Sequence, residues 1–205
     1  LSLGMELRAG NVSPITGAWN FLEPIIEKLP STITSSRIRT RLDASFYSKD
    51  IIHLLDEKHV GYAIVARMHK PLKSRILSAS YHEFTKGWEA AEFTFPVASF
   101  KKEHRFIAIR RPKHLEPEEV QRSLYTFKDY VYSRALVTNL GLTPEAVWRF
   151  YCSRGFLELL LREFKNSFFM AQIPTRSFWA NAAYMEIILW AYDLVLAFQN
   201  LCLPE

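Results

Sequence analysis

Two cysteines in 205 residues, Cys152 and Cys202, are too few to staple a domain and lack the paired spacing of metal ligands. A disulfide scaffold and a structural zinc module are excluded, and both thiols are expected to be reduced, as in an intracellular protein. Seven glycines and ten prolines are far below the content of collagen-like or low-complexity chains. No glycine-rich run forms a phosphate loop, and no serine sits in a nucleophile elbow, so nucleotide-binding and serine-hydrolase readings lack support. The opening residues carry no basic run followed by an apolar stretch, which removes a targeting signal. They also begin without Met, and the expectation is a fragment caught partway along a strand. Histidines 53, 59, 69, 82, 104 and 114 are scattered without ligand spacing and define no site.

What remains is a globular composition, 49% hydrophobic and 14% aromatic, long enough for one domain or slightly more. The formal net charge is +5 and the pI about 9.2. The charge is uneven: between Val60 and Leu115 eleven lysines and arginines face only four acids, Glu83, Glu89, Glu92 and Glu103. That predicts one basic face and favours an anionic partner. The stretch from Phe178 to Leu203 is apolar enough to raise a membrane helix. Glu186 and Asp193 sit in its middle, each costing about 2.5–3.5 kcal/mol on insertion scales, so a buried core helix is expected instead. The five tryptophans are expected in the core, except that Trp88, among the charges of KGWEAAE, has the chemistry to stack on an unpaired base.

Periodicity predicts the elements. Leu1 to Arg8 alternates briefly and ends at the Gly10–Asn11 turn. Ser13 and Pro14 read as cap and first residue of a helix carrying Trp19, Leu22, Ile25 and Ile26 and stopped by Pro30. Arg37 to Asp43 alternates as a strand, with Ile38, Thr40 and Leu42 on one face and Arg37, Arg39, Arg41 and Asp43 on the other. Ser48 caps a short helix with Ile51, Ile52, Leu54 and Leu55, and Gly61 to Met68 reads as a buried strand. AEFTFPVASF, HRFIAIRR and YVYSRALVTN then read as strands of an antiparallel sheet. Thr143-Pro144-Glu145 opens one long helix to about Phe169, and a last helix covers Phe178 to Leu201.

On a single helix at about 100° per residue, Tyr151, Arg154, Glu158 and Lys165 share an arc of about 60°, beside Leu157, Leu160, Leu161, Phe164 and Phe168. An ordinary amphipathic helix with an Arg154–Glu158 pair at i,i+4 satisfies the same spacing. Two carboxylates amid cations, Glu158 here and Asp43 at the end of an arginine-bearing strand, also satisfy metal-assisted phosphodiester chemistry. In that chemistry acids hold Mg²⁺ and cations hold phosphates.

The run YCSRGFLELLLREFK fits Tyr-x2-Arg-x3-Glu-x6-Lys and resembles the signature (YREK) of a group of bacterial insertion-sequence transposases of the DDE type. RLDASFY is similar to their Arg-x-Asp-x-x-Phe strand, and LRAGN, VTNLGLTPEAVW and SFWANAAY match flanking blocks in order. The resemblance implies an RNase H-like α/β core interrupted by a mainly antiparallel β insertion. It implies residues 1–60 as the first part of the core, 61–142 as the basic insertion and 143–205 as the helical remainder. It implies Asp43 and Glu158 as catalytic metal ligands and Tyr151, Arg154, Lys165 and, more weakly, Arg41 as DNA contacts; Trp88 remains the base-stacking candidate that its charged surroundings suggest. Mg²⁺ (or Mn²⁺) is the implied cofactor. Transposon-end and target DNA are the implied partners, of a homodimer in the nucleoid-containing cytoplasm.

One departure bears on activity. The family's first Asp belongs on an opening strand, yet residues 1–42 contain no Asp; their acids are Glu6, Glu23 and Glu27. The expectation is therefore either a cut-and-paste transposase domain whose first carboxylate lies outside this chain, so that these residues alone are incomplete and inactive, or a decayed relative that binds DNA without cutting it.

Overall fold

A computed structural model of the chain describes residues 3–30, 32–96, 102–112 and 130–202. Lys101 and Lys113 of the basic stretch, and residues 97–100 of an expected strand, lie outside the described residues. The chain divides into two compact units, residues 30–153 and residues 1–29 with 154–205.

The first unit is built on a six-stranded sheet in the order β1-β2-β6-β5-β4-β3. The strands are β1 Arg39–Leu42, β2 Gly61–Val65, β3 His82–Thr85, β4 Trp88–Pro96, β5 Glu103–Pro112 and β6 Tyr130–Thr138. β1 and β2 pair in parallel, with Arg39 opposite Gly61 and Leu42 opposite Ile64. Their crossover is α2, Lys49–Glu57, whose cap Ser48 accepts the Ile51 N–H at 3.3 Å. All four apolar residues expected on α2 are buried, each contributing roughly 1.5–3 kcal/mol. β6 pairs antiparallel with β2, and β5, β4 and β3 follow antiparallel. The expected antiparallel strands are thus present, but they extend the β1–β2 sheet rather than forming a sheet of their own. The free edge of β2 beyond β1 accepts β6, which leaves its backbone groups fully paired.

Alternation along the strands makes two apolar faces. Ala63, Val65, Ala90, Ile107, Ile109 and Leu136 pack with Val147 and Tyr151 of α4, Pro144–Cys152. On the other face Phe93 and Phe106 stack, and α3, Lys70–Leu77, sets the Arg75 guanidinium over Phe93. α3 was not expected from the sequence, because only Leu72 and Ile76 of its eight residues are buried and its other residues are mostly polar.

The corner of this sheet is tied by Asn139. Its Oδ1 accepts the Tyr62 N–H at 2.9 Å, and its Nδ2 donates to Val60 O at 3.0 Å and to Asp56 at 3.2 Å. Gly61 sits beside it, where a Cβ would stand 2.6 Å from Leu140 Cδ2, so any larger residue would have to displace the tip of the Leu140 side chain. Cations of the basic stretch are partly consumed in the sheet. Arg105 makes a two-pronged pair with Glu92 at 2.8 Å, and Arg110 pairs with Glu89, which lies directly opposite it. The Arg105 guanidinium, bonding first and adding its charge, holds Glu92 below the usual carboxylate range against an opposing effect of burial.

The second unit holds α1, Ala18–Glu27, α5, Gly155–Asn166, and α6, Phe178–Cys202. α1 begins four residues later than Ser13–Pro14 implied, after a left-handed Gly17, because residues 14–17 form turns instead. Residues 3–9 carry no strand, so Glu6 is not a strand residue; it pairs with Arg8 at 2.8 Å. The single long helix expected from Thr143 is two helices, broken at Ser153–Arg154 just before Gly155, a poor helix former. α6 spans the expected residues but is not the buried helix expected. Ile188, Leu189 and Tyr192 pack on Phe164, while Trp190 and Trp179 are 71% and 80% exposed. A helix apolar all round buries only the side that meets a neighbour. By length and composition alone α6 could cross a membrane.

Two measurements check this account. Asn139→Ala should cost about 1–3 kcal/mol in urea unfolding, because the Tyr62 N–H and Val60 carbonyl lose their partner. A change below about 0.5 kcal/mol would mean that water replaces the side chain. Tyr47, buried beside β1, has no hydrogen-bond partner for its hydroxyl among the described residues, and burial pushes its pKa from 10 up to about 12. Its neutral form therefore contributes stability fully below pH 10, and this is lost as pH rises through about 12. Tyr47→Phe should leave stability at neutral pH unchanged or raised and make the loss of Tm across that alkaline window shallower.

Candidate active site

Asp43 lies immediately past the end of β1. It is not a strand residue, as the alternation implied, but the cap of a one-turn 3₁₀ helix, Ala44–Phe46, with φ −80° and ψ 178°. Its Oδ1 accepts the Ser45 N–H at 2.8 Å, and its carbonyl accepts Phe46 N–H at 3.1 Å. A short acceptor side chain at this position satisfies a turn N–H that would otherwise have no partner. The carboxylate is half-buried, at the C-terminal end of a parallel strand, where α/β sheets gather their functional loops.

The arginine face is shorter than expected. Arg37 belongs to a preceding 3₁₀ turn, Ser35–Arg37, leaving Arg39 and Arg41 on the strand. Arg41 donates to the Phe150 carbonyl at 3.2 Å and lies 5.1 Å from the Phe150 ring centre. An acceptor and an aromatic face thus stabilise its charge without any anion across the strand. A cation the sequence reading did not single out, Arg67, reaches the same turn: its Nε donates to Ala44 O at 3.0 Å and its Nη2 to Ser45 O at 3.3 Å. The signal for it lay in the parallel register, which sequence alone does not give.

Against the same buried core as Ala44, but with β2, β6 and β5 between β1 and β4 in the sheet, pack three aromatic rings. Trp88 meets Trp148 at 6.0 Å, Trp148 stacks on Tyr151 at 6.1 Å, and the Arg111 guanidinium lies 5.8 Å from the Trp88 ring centre. Trp88 is half-buried at the tip of the β3–β4 hairpin. Tyr151 is 5% exposed and packs in the core. The arc expected for four polar residues therefore does not hold for Tyr151, because the helix breaks after it.

In the second unit, Arg154 occupies the capping position of α5 and Glu158 its first turn. They approach to 4.0 Å, the outer limit of an ion pair, and the Glu158 side chain is 76% exposed. Lys165, seven residues further on and exposed, returns to the same helix face in the last turn. An acid early and a cation late both suit the helix dipole. The apolar side is narrower than expected: Phe164 is buried and Leu160 and Phe168 partly so, whereas Leu157 and Leu161 are exposed. Among the described residues no cluster of three or more His, Cys, Asp or Glu forms, and both cysteines are free. Burial pushes the Cys152 thiol up, with Arg134 opposing, so it is not an activated nucleophile.

A half-buried carboxylate with arginines at the end of a parallel strand fits a protein acting on a phosphodiester backbone. No curated protein matches the chain. A family model described as the transposase DDE domain, group 1, matches residues 2–205. With nearly every residue covered, the chain belongs to the family of DDE-domain transposases.

Proposed function

We propose that this chain is the catalytic domain of a cut-and-paste transposase, hydrolysing a phosphodiester at a transposon end and transferring the freed 3′ end to target DNA. The observation that carries the reading is Asp43: in a DDE-domain chain, its carboxylate caps a turn at the C-terminal end of a parallel strand, with Arg41 and Arg67 beside it. The parallel β1–β2 pair with its helical crossover supports an RNase H-like core, of which the antiparallel strands are an extension. Family membership supports DNA as substrate, a homodimer as the working state and a cytoplasmic setting.

Asp43 and Glu158 offer carboxylate oxygens, the donors that hard divalent cations such as Mg²⁺ and Mn²⁺ select. When bound, such ions activate the attacking oxygen and stabilise the leaving one. The chain's own residues do the rest. Asp43 is held by its bond from the Ser45 N–H and so presents its carboxylate in a fixed direction. Exposed Glu158 needs no displacement of packed neighbours to act as a ligand. Arg154 and Lys165 share its helix face and grip phosphates flanking the scissile bond. Arg41 draws charge toward the strand end, and Trp88, backed by Trp148, offers a ring edge to an unstacked base. Tyr151 serves by packing α4 rather than by touching DNA.

The test is nicking of supercoiled plasmid in the presence of Mg²⁺ or Mn²⁺, with duplex binding followed by fluorescence anisotropy. Asp43→Ala and Glu158→Ala should each abolish metal-dependent nicking while leaving duplex affinity within a few-fold. Nicking that survives either substitution removes that residue from the catalytic set. Duplex binding without nicking is expected of these 205 residues on either reading, because residues 1–42 hold no Asp. Nicking that appears once a segment carrying the family's first Asp is joined favours the cutting enzyme, and its continued absence favours a DNA-binding relative that does not cut.

Affinity itself is expected to fall by orders of magnitude between low and moderate salt. Arg154→Ala and Lys165→Ala should each reduce the slope of log affinity against log salt by about one. A flat salt dependence would mean that these cations only solvate the surface.

A further inference from the structure

We propose that Arg67 is a positioning residue for Asp43, acting through the 3₁₀ turn that Asp43 caps; this rests on the reading of Asp43 as a metal ligand. The parallel ladder brings the two together. Its last pair is Leu42 with Ile64, and three residues further along each chain stand Ser45 and Arg67. From there the guanidinium reaches back over the turn, Nε to Ala44 O at 3.0 Å and Nη2 to Ser45 O at 3.3 Å. Two donors on one edge of a rigid plane bind two successive carbonyls, a geometry that lysine cannot reproduce.

Arg67 adds to the turn's own bonds from Phe46 N–H to Asp43 O and from Ser45 N–H to Asp43 Oδ1. The 3₁₀ helix is one turn long, and the bond from Tyr47 N–H to Ala44 O is stretched to 3.4 Å, so Arg67 is the closer donor to that carbonyl. The Ser45 residue whose carbonyl Arg67 holds is the one whose N–H binds Asp43 Oδ1 at 2.8 Å. A rotation of the Ser45 backbone therefore moves the group that orients the carboxylate. Arg67 is itself exposed, so its bonds to these carbonyls compete with water and add little to global stability. Their consequence is local. A metal ligand displaced by about 1 Å can cost about a hundredfold in rate.

Charge and position predict opposite signs, which makes the role measurable. Deleting a cation near a metal-binding carboxylate relieves repulsion and by itself tightens divalent-cation binding. Loosening the turn weakens it. Mn²⁺ is titrated calorimetrically into the unaltered chain and into the R67A, R67K and D43A variants, with thermal unfolding and duplex binding measured in parallel. R67A should weaken Mn²⁺ binding about tenfold, with Tm within about 2 °C of the unaltered chain. R67K, which keeps the charge and one donor, should recover part of the loss. Unchanged or tighter Mn²⁺ binding in R67A, with D43A losing it, overturns the positioning role and leaves the Asp43 reading intact. Reduced duplex affinity in R67A with Mn²⁺ binding preserved makes Arg67 a phosphate contact and likewise overturns it. Mn²⁺ affinity that D43A does not change, or that the unaltered chain lacks, defeats the ligand reading, and the positioning role falls with it.

Discussion

The parallel pairing of β1 with β2 is the constraint on which the first unit depends. It is four residues long, yet it decides where β1 ends, where α2 must cross and which side of β2 remains open for β6. Because strands rise about 3.3 Å per residue, fixing Leu42 opposite Ile64 fixes everything one turn beyond it. Asp43, its capping bond and the Arg67 fork all lie within that reach. The opposite end of the pair is equally constrained, since Gly61 N–H bonds Ile38 O at 2.9 Å and Asn139 fastens the start of β2 to the end of β6. A sheet corner locked at one end and a carboxylate presented at the other are two results of one short ladder.

Local chemistry made much of this legible. Ser48 before Ile51, Ile52, Leu54 and Leu55 specifies α2 because cap and burial face agree. Strands β4, β5 and β6 follow from their β-branched and aromatic runs, although β5 and β6 bury both faces, with Phe106 to Ile109 and Ala135 to Thr138 buried without a break. What the sequence could not disclose depends on partners remote along the chain. That β6 would close on β2 is a choice of edge, invisible to periodicity. Arg67 looks like any surface arginine until the register places it beside Ser45. α6 was misread for a related reason: apolar periodicity says that a face is hydrophobic, not that a neighbour covers it.

The helix break at Ser153–Arg154 shows how a spacing can be right while the geometry inferred from it is not. Angles computed on a continuous helix put Tyr151 on the polar arc. The structure instead stacks Tyr151 on Trp148 at 6.1 Å and starts α5 afresh at Gly155. Glu158 and Lys165 keep their common face because no break falls between them. Gly155 was the available warning. At roughly 1 kcal/mol less favourable than alanine in a helix interior, it marks a discontinuity that the apolar pattern on either side concealed.

Electrostatics gives the last step. The count of eleven cations against four acids overstates what the basic stretch presents to a partner. Arg105 is committed to Glu92 and to the Leu140 and Leu142 carbonyls, Arg110 to Glu89, and Arg75 sits over Phe93. These contacts bind the sheet together, and a phosphate could recruit them only by breaking existing bonds. Arg67 is likewise held, by the Ala44 and Ser45 carbonyls of the turn of Asp43, whereas Arg111 lies beside Trp88 at a hairpin end. Charges that interior pairing does not already hold are the ones able to change partners at low cost. Arg111, exposed beside the Trp88 ring, is such a charge, so the stretch presents less of its formal charge to a partner than its composition implies.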